Sequence, residues 1–254
     1  MKTKTLLTVT IVLIVISTIT VIAAFQTQQS KGVPTNQQDE ETLKEQFPIA
    51  DFNAKEPSDP VKKAKRKDKS KKYDKPISAL TNTTTNKVTH LDWEVGLSAL
   101  PVTKSDAVVI GEVAEAQAFL SEDKTEAYSE FTLRVDEVLK NDQRTPISQG
   151  SSIIIERAGG RVRFPSGHIA LSFVSGQGMP RVGRRYALFL THNFSIFGGI
   201  QEQDFYILTG YELHSGKVIP LDNPGDHPLA TAYKGADESA FISDLRSAIA
   251  NPHP

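Results

Sequence analysis

The chain has 254 residues, with 29 Lys+Arg and 30 Asp+Glu. The charge is uneven: residues 1–90 carry 15 basic against 9 acidic residues, and residues 91–254 carry 14 against 21, a basic tail on an acidic body. There is no cysteine, which excludes disulfides, thiolate metal sites and a lipid-modified cysteine. A body of roughly 160 residues can bury a core without such staples.

The first predicted element is a membrane-crossing segment. Lys2 and Lys4 precede Leu6–Phe25, which carries no charged residue. As a helix this stretch spans about 30 Å, the thickness of a bilayer's hydrocarbon core. The flanking lysines keep the N-terminus in the cytoplasm and send the remainder across. Length favours a retained single-pass anchor. The small residues of Val21-Ile22-Ala23 and Ile22-Ala23-Ala24 favour a cleaved signal, with the product secreted or periplasmic. Both remain open, so residues 1–25 are a transmembrane anchor or signal segment.

Residues 26–90 are rich in Gln, Thr, Asn, Lys and Pro and lack sustained periodicity, which predicts a disordered basic linker. Within it, Val61–Lys75 (VKKAKRKDKSKKYDK) supplies a candidate polyanion contact: Lys62, Lys63, Lys65, Arg66, Lys67, Lys69, Lys71 and Lys72. Export removes nucleic acid as an expected partner and leaves anionic lipid headgroups or acidic wall polymers. The plainer alternative is a solvated spacer, or one that contacts its own acidic domain.

Residues 91–254 form the globular part. Leu91–Leu100 reads as a short helix capped by Asp92 and stopped at Pro101, with Trp93, Leu97 and Leu100 on one face. A strand follows over Ala107–Ala118, joined through Ser121–Thr125 to a second in which Phe131, Leu133 and Val135 alternate with polar residues. Val138 then breaks the parity, which predicts a bulge near Asp136-Glu137. Further strands are expected over 152–157, 162–164, 170–174, 184–191 and 205–213, punctuated by glycine and proline. An amphipathic helix over 237–250 closes the chain, with Phe241, Leu245, Ala248 and Ile249 as its apolar stripe. The fold class is therefore mainly β: a single small antiparallel barrel or sandwich with a helix at each end.

The run Tyr128-Ser129-x-Phe131-Thr132-x-x-Val135-x-x-Val138-Leu139-Lys140 resembles a segment of uncharacterised exported bacterial proteins. So do the later Gly159-Gly160-x-Val162, Gly176-Gln177-Gly178-x-Pro180 and Gly183-x-x-Tyr186-x-Leu188-Phe189-Leu190. The resemblance covers about residues 106–213. It implies a small closed barrel of the oligonucleotide/oligosaccharide-binding type and carries no activity.

Motifs of catalysis are sparse. No G-x-S-x-G elbow and no H-E-x-x-H helix occurs, and Ser166 beside His168 is a glycine-rich turn before it is a nucleophile and base. Asp222-Asn223-Pro224-Gly225-Asp226-His227 gathers possible ligands but lacks calcium-loop spacing. No catalytic, cofactor or metal residue is therefore assigned. Arg157, Arg161, Arg163, Arg181, Arg184 and Arg185 are a candidate anion or partner patch on the acidic body, with pairing to nearby Glu or Asp as the plainer reading. Phe194, Ile196 and Phe197 form either an exposed tip or packing beneath the barrel. The expectation is a non-enzymatic cell-envelope module that binds a protein or an anionic polymer. The alternative is an extracytoplasmic hydrolase whose site is assembled from distant residues.

Overall fold

The computed structural model describes residues 47–74, 93–143, 145–192 and 205–252, all within the unit Gln46–Pro254. The Leu6–Phe25 segment, Thr81–Thr89 and Phe194–Phe197 lie outside the described residues. No helix among the described residues is long and apolar enough to cross a membrane.

The elements are β1 (Ile49–Asp51), α1 (Pro60–Lys71), β2 (Ala107–Leu120), β3 (Ala127–Lys140), β4 (Ser152–Ala158), β5 (Gly160–Arg163), β6 (Ile169–Ser172), β7 (Arg185–Thr191), β8 (Phe205–His214), β9 (Lys217–Pro220), α2 (Pro228–Thr231) and α3 (Glu238–Ala250). The large sheet has the order β4-β3-β2-β7-β8-β9, and a smaller one the order β1-β5-β6. Neighbours are antiparallel except β1 with β5 and β4 with β8.

Two cores flank the large sheet, which is why β2, β7 and β8 read as nearly unbroken apolar runs. Val109, Val113, Phe131, Leu133, Leu188 and Ile207 share one core. Val108, Ile110, Phe189, Tyr211 and Leu213 face the other, where Phe241 and Leu245 of α3 cover them. Asp237 caps α3 by accepting from the amides of Ser239 and Ala240. The parity break in β3 is a bulge: Ile110 pairs with Glu137 and Gly111 with Val135, leaving Asp136 as the extra residue.

Three expectations are corrected. Residues 93–100 form turns, because Gly96 adopts a φ of +72°, although Trp93 and Leu97 are buried as expected. The sheet is not a barrel hydrogen-bonded shut along its length. β4 meets β8 only at Ile155–Phe205 and Glu156–Tyr206, because β9 occupies the same edge of β8 from Tyr211 to His214. The linker reading fails for residues 47–74. Residues 49–51 add a parallel strand to β5, and 60–71 form a helix against the large sheet.

Candidate functional site

The helix α1 is made from the most basic run in the chain. Asp59 accepts from the amides of Val61 (2.8 Å) and Lys62 (3.1 Å), and Pro60 supplies a preset first turn. Lys69 and Lys71 suit the negative C-terminal end. Arg66, Lys69, Ser70 and Tyr73 follow i, i+3, i+4, i+7 spacing and share one side. Apart from the Tyr73 ring, that side is polar or charged.

It lies on the outward residues of β3 and β4. Phe131 and Leu133 point into the core, so Tyr128, Glu130 and Thr132 point away from it. Glu130 and Glu156 are direct cross-strand partners, an arrangement of like charges that is unfavourable by itself. The Lys69 ammonium resolves it, standing 3.1 Å from Glu130 and 3.6 Å from Glu156 while only 4% of the residue is exposed. Arg66 donates to Glu130 at 3.1 Å and to the Tyr128 hydroxyl at 3.3 Å. Lys72 reaches Glu156 at 3.5 Å, and Lys67 reaches Glu122 at 3.0 Å.

Aromatic contacts frame these charges. The Tyr73 ring stacks on Tyr128 with centroids 4.3 Å apart, and the Arg66 guanidinium lies 3.3 Å over Phe119. Burial pushes both Tyr73 and Tyr128 above the ordinary phenol range, so both remain neutral. The Lys67 pKa is raised by its hydrogen bond to Glu122.

Other cations of α1 are open to solvent. Lys62, Lys65 and Lys71 are exposed and make no ion pair among the described residues, while Lys63 is 2.5 Å from Glu56. Lys62, Lys65, Arg66 and Lys69 line a recess of about 240 Å³ with Pro57, Glu130 and Ile154. Four cations against one carboxylate make this recess suited to an anion. The predicted polyanion contact is thus split by the fold: Arg66, Lys69 and Lys72 pair with sheet carboxylates, Lys62 and Lys65 stand exposed at the edge of the helix-sheet contact, and Lys71 is exposed at the end of the helix.

No protein-family model, no curated protein and no solved structure matches this chain.

The six arginines do not form one patch. Arg157 is fully buried in a bidentate pair with Asp222, at 2.7 and 2.9 Å, and also donates to the carbonyls of Gly178 and Leu208. Asp222 in turn accepts from Thr209 Oγ1 and from the Gly178 amide. A Cβ on Gly178 would lie 1.9 Å from the Leu221 carbonyl oxygen, so only glycine fits there. This cluster fills the gap along β8 between the β4 and β9 contacts. Arg181 and Arg184 converge on Glu212, Arg185 pairs with Asp136 and Glu238, and Arg163 pairs with Asp51. Arg161 belongs to the β1-β5-β6 sheet.

Among the described residues no group of three His, Asp or Glu could hold a metal ion. His227 of the 222–227 loop caps α2, accepting from the Leu229 amide. Ser166 and His168 share the β5–β6 turn, where the His168 amide donates to Ser166 Oγ at 3.4 Å. One pair was not singled out from sequence: His192 Nε2 lies 2.5 Å from Asp142 Oδ2, both nearly buried, with the imidazole stacked on Phe205. The glutamates under α1 were missed as well. The signals available were the Asp59-Pro60 cap and the cationic stripe at helical spacing.

Proposed function

We propose that this chain is a non-enzymatic cell-envelope module that binds phosphate-bearing anionic polymers or headgroups through the exposed cations of α1. The observation that carries this reading is the set of exposed lysines Lys62, Lys65 and Lys71, which make no ion pair among the described residues. It is supported by contrast with the arginines of the body, where Arg157, Arg163, Arg181, Arg184 and Arg185 are each paired with a carboxylate. Each exposed lysine contributes about 1 kcal/mol near an anionic layer.

The proposed address is extracytoplasmic, with Leu6–Phe25 as anchor or signal. The proposed fold affinity is to the oligonucleotide/oligosaccharide-binding type. The β2-β3-β4 meander followed by β7 and β8, with β8 parallel to β4, supports it. That affinity adds no activity of its own.

The test uses the full-length protein in neutral-lipid nanodiscs, titrated with soluble polyphosphate and, separately, with anionic or zwitterionic vesicles. Binding that weakens with salt is expected, and Lys62→Ala/Lys65→Ala should lose about 2 kcal/mol, roughly 30-fold in Kd. Equal binding by the double variant would remove the reading. The polymer and vesicle arms separate the two phosphate sources.

The hydrolase alternative has one observation in its favour, the Asp142–His192 pair, which has the form of a base and its orienting carboxylate. A hydrolytic activity in an ester, peptide and glycan screen that disappears in Asp142→Asn would favour it over the binding module.

A further inference from the structure

The side of α1 turned toward the sheet contains no aliphatic anchor. Val61 is 77% exposed, and the contacts are Arg66, Lys67, Lys69, Lys72 and the single ring of Tyr73. Helices that belong permanently to a core carry an apolar stripe, as α3 does with Phe241 and Leu245. Here attraction between unlike charges replaces it. The rim of the contact is reached by solvent, since the Arg66 and Lys72 side chains are 32% and 23% exposed. Ions and polyanions therefore have access to the charges that hold the helix down.

We propose that α1 is a charge-held strap that lifts from β3 and β4 when competing ions claim its cations. While docked, Lys69 neutralises the Glu130–Glu156 pair, and Arg66, Lys67 and Lys72 are occupied by carboxylates. Once lifted, the same residues join Lys62, Lys63, Lys65 and Lys71 on a segment with only Asp68 as an internal acid. The docked state thus holds back part of the cationic charge, and binding of an anion and docking on the sheet oppose each other reciprocally. A 12-residue helix freed from its support is marginal in water, so lifting melts it. This release step extends the anion-binding reading, but the strap itself is tested without any anion-binding partner.

The experiment is hydrogen exchange of the full-length protein in neutral-lipid nanodiscs. It follows peptides from residues 60–72 and from β7 as internal reference. In 1 M NaCl, where the screening length falls to about 3 Å, exchange of 60–72 should rise at least about tenfold with β7 unchanged. Glu130→Gln/Glu156→Gln should show the same rise already at low salt. If its docked fraction falls from about nine-tenths to near zero, it should bind polyphosphate more tightly, by at most about tenfold, as the released Arg66, Lys69 and Lys72 add to the lysines already exposed. Unchanged β7 protection shows that this variant is folded. If 60–72 stays equally protected in 1 M NaCl and in the double variant, the strap is overturned. If salt and the variant both release 60–72 while polyphosphate binds neither protein, the strap stands and the anion-binding reading falls.

Discussion

Arg157 and Lys69 are both buried cations held by carboxylates, yet they sit in opposite mechanical positions. Arg157 is sealed among β8, the loop at Gly178 and Asp222 just past β9, to all of which it donates hydrogen bonds. Lys69 lies between a helix and the outside of that sheet, with the partly exposed Arg66 and Lys72 at its border. A sealed pair is a structural staple, costly to break because the remaining charge has nowhere to go. A bordered pair exchanges with solvent ions, which makes it suited to reversible contact.

The largest effect separating the two is expected for Asp222→Ala. It strands Arg157 in the core and should cost about 3–5 kcal/mol in urea unfolding of the whole domain. A loss below 1 kcal/mol would place Arg157 in the same class as Lys69 and dissolve the distinction. Next comes Tyr73→Ala, which removes the ring stacked on Tyr128. It should weaken docking of α1 by about 2 kcal/mol, seen as faster exchange of residues 60–72 with the core unfolding midpoint held. A matching drop of the core midpoint would show that α1 is an integral part of the fold.

The smallest effect belongs to a fully exposed carboxylate. The Asp237 pKa is lowered mainly by the Ser239 side chain, with the Ala240 and Ser239 amides adding to it. Since folding depresses the pKa, the cap's contribution is present above the ordinary value of 3.8 and is lost as pH falls through the lowered one. Acidification through that window should raise amide exchange at the first turn of α3 only. No change there would mean that the cap contributes nothing to the end of that helix.

Much of the sheet was legible because its local signals agree. Phe131, Leu133 and Val135 alternate as one face of β3 requires, and the shift at Val138 marked the bulge at Asp136 before any pairing was visible. α3 followed from Asp237 and its apolar stripe. β1, three residues long, has no period to detect and exists through pairing with Arg161–Arg163. α1 was hidden for a different reason: its inward stripe is cationic, and hydrophobic periodicity has nothing to register in Arg66, Lys69 and Ser70. The arginines were visible as residue types, but adjacency along the chain could not tell that Arg157 is interior and Arg185 peripheral.

The sequence by itself determined the uneven charge, the absence of cysteine chemistry, the uncharged Leu6–Phe25 stretch and the β-rich character of the body, because each depends on residue type or short-range period. Only the tertiary structure decided which carboxylates the cations meet. Glu130 and Glu156 are 26 positions apart and become neighbours only when β3 and β4 pair. Asp222 is 65 positions from Arg157 and reaches it only because β9 follows the edge of β8. Electrostatic partnership depends on distance in space, which chain order does not specify.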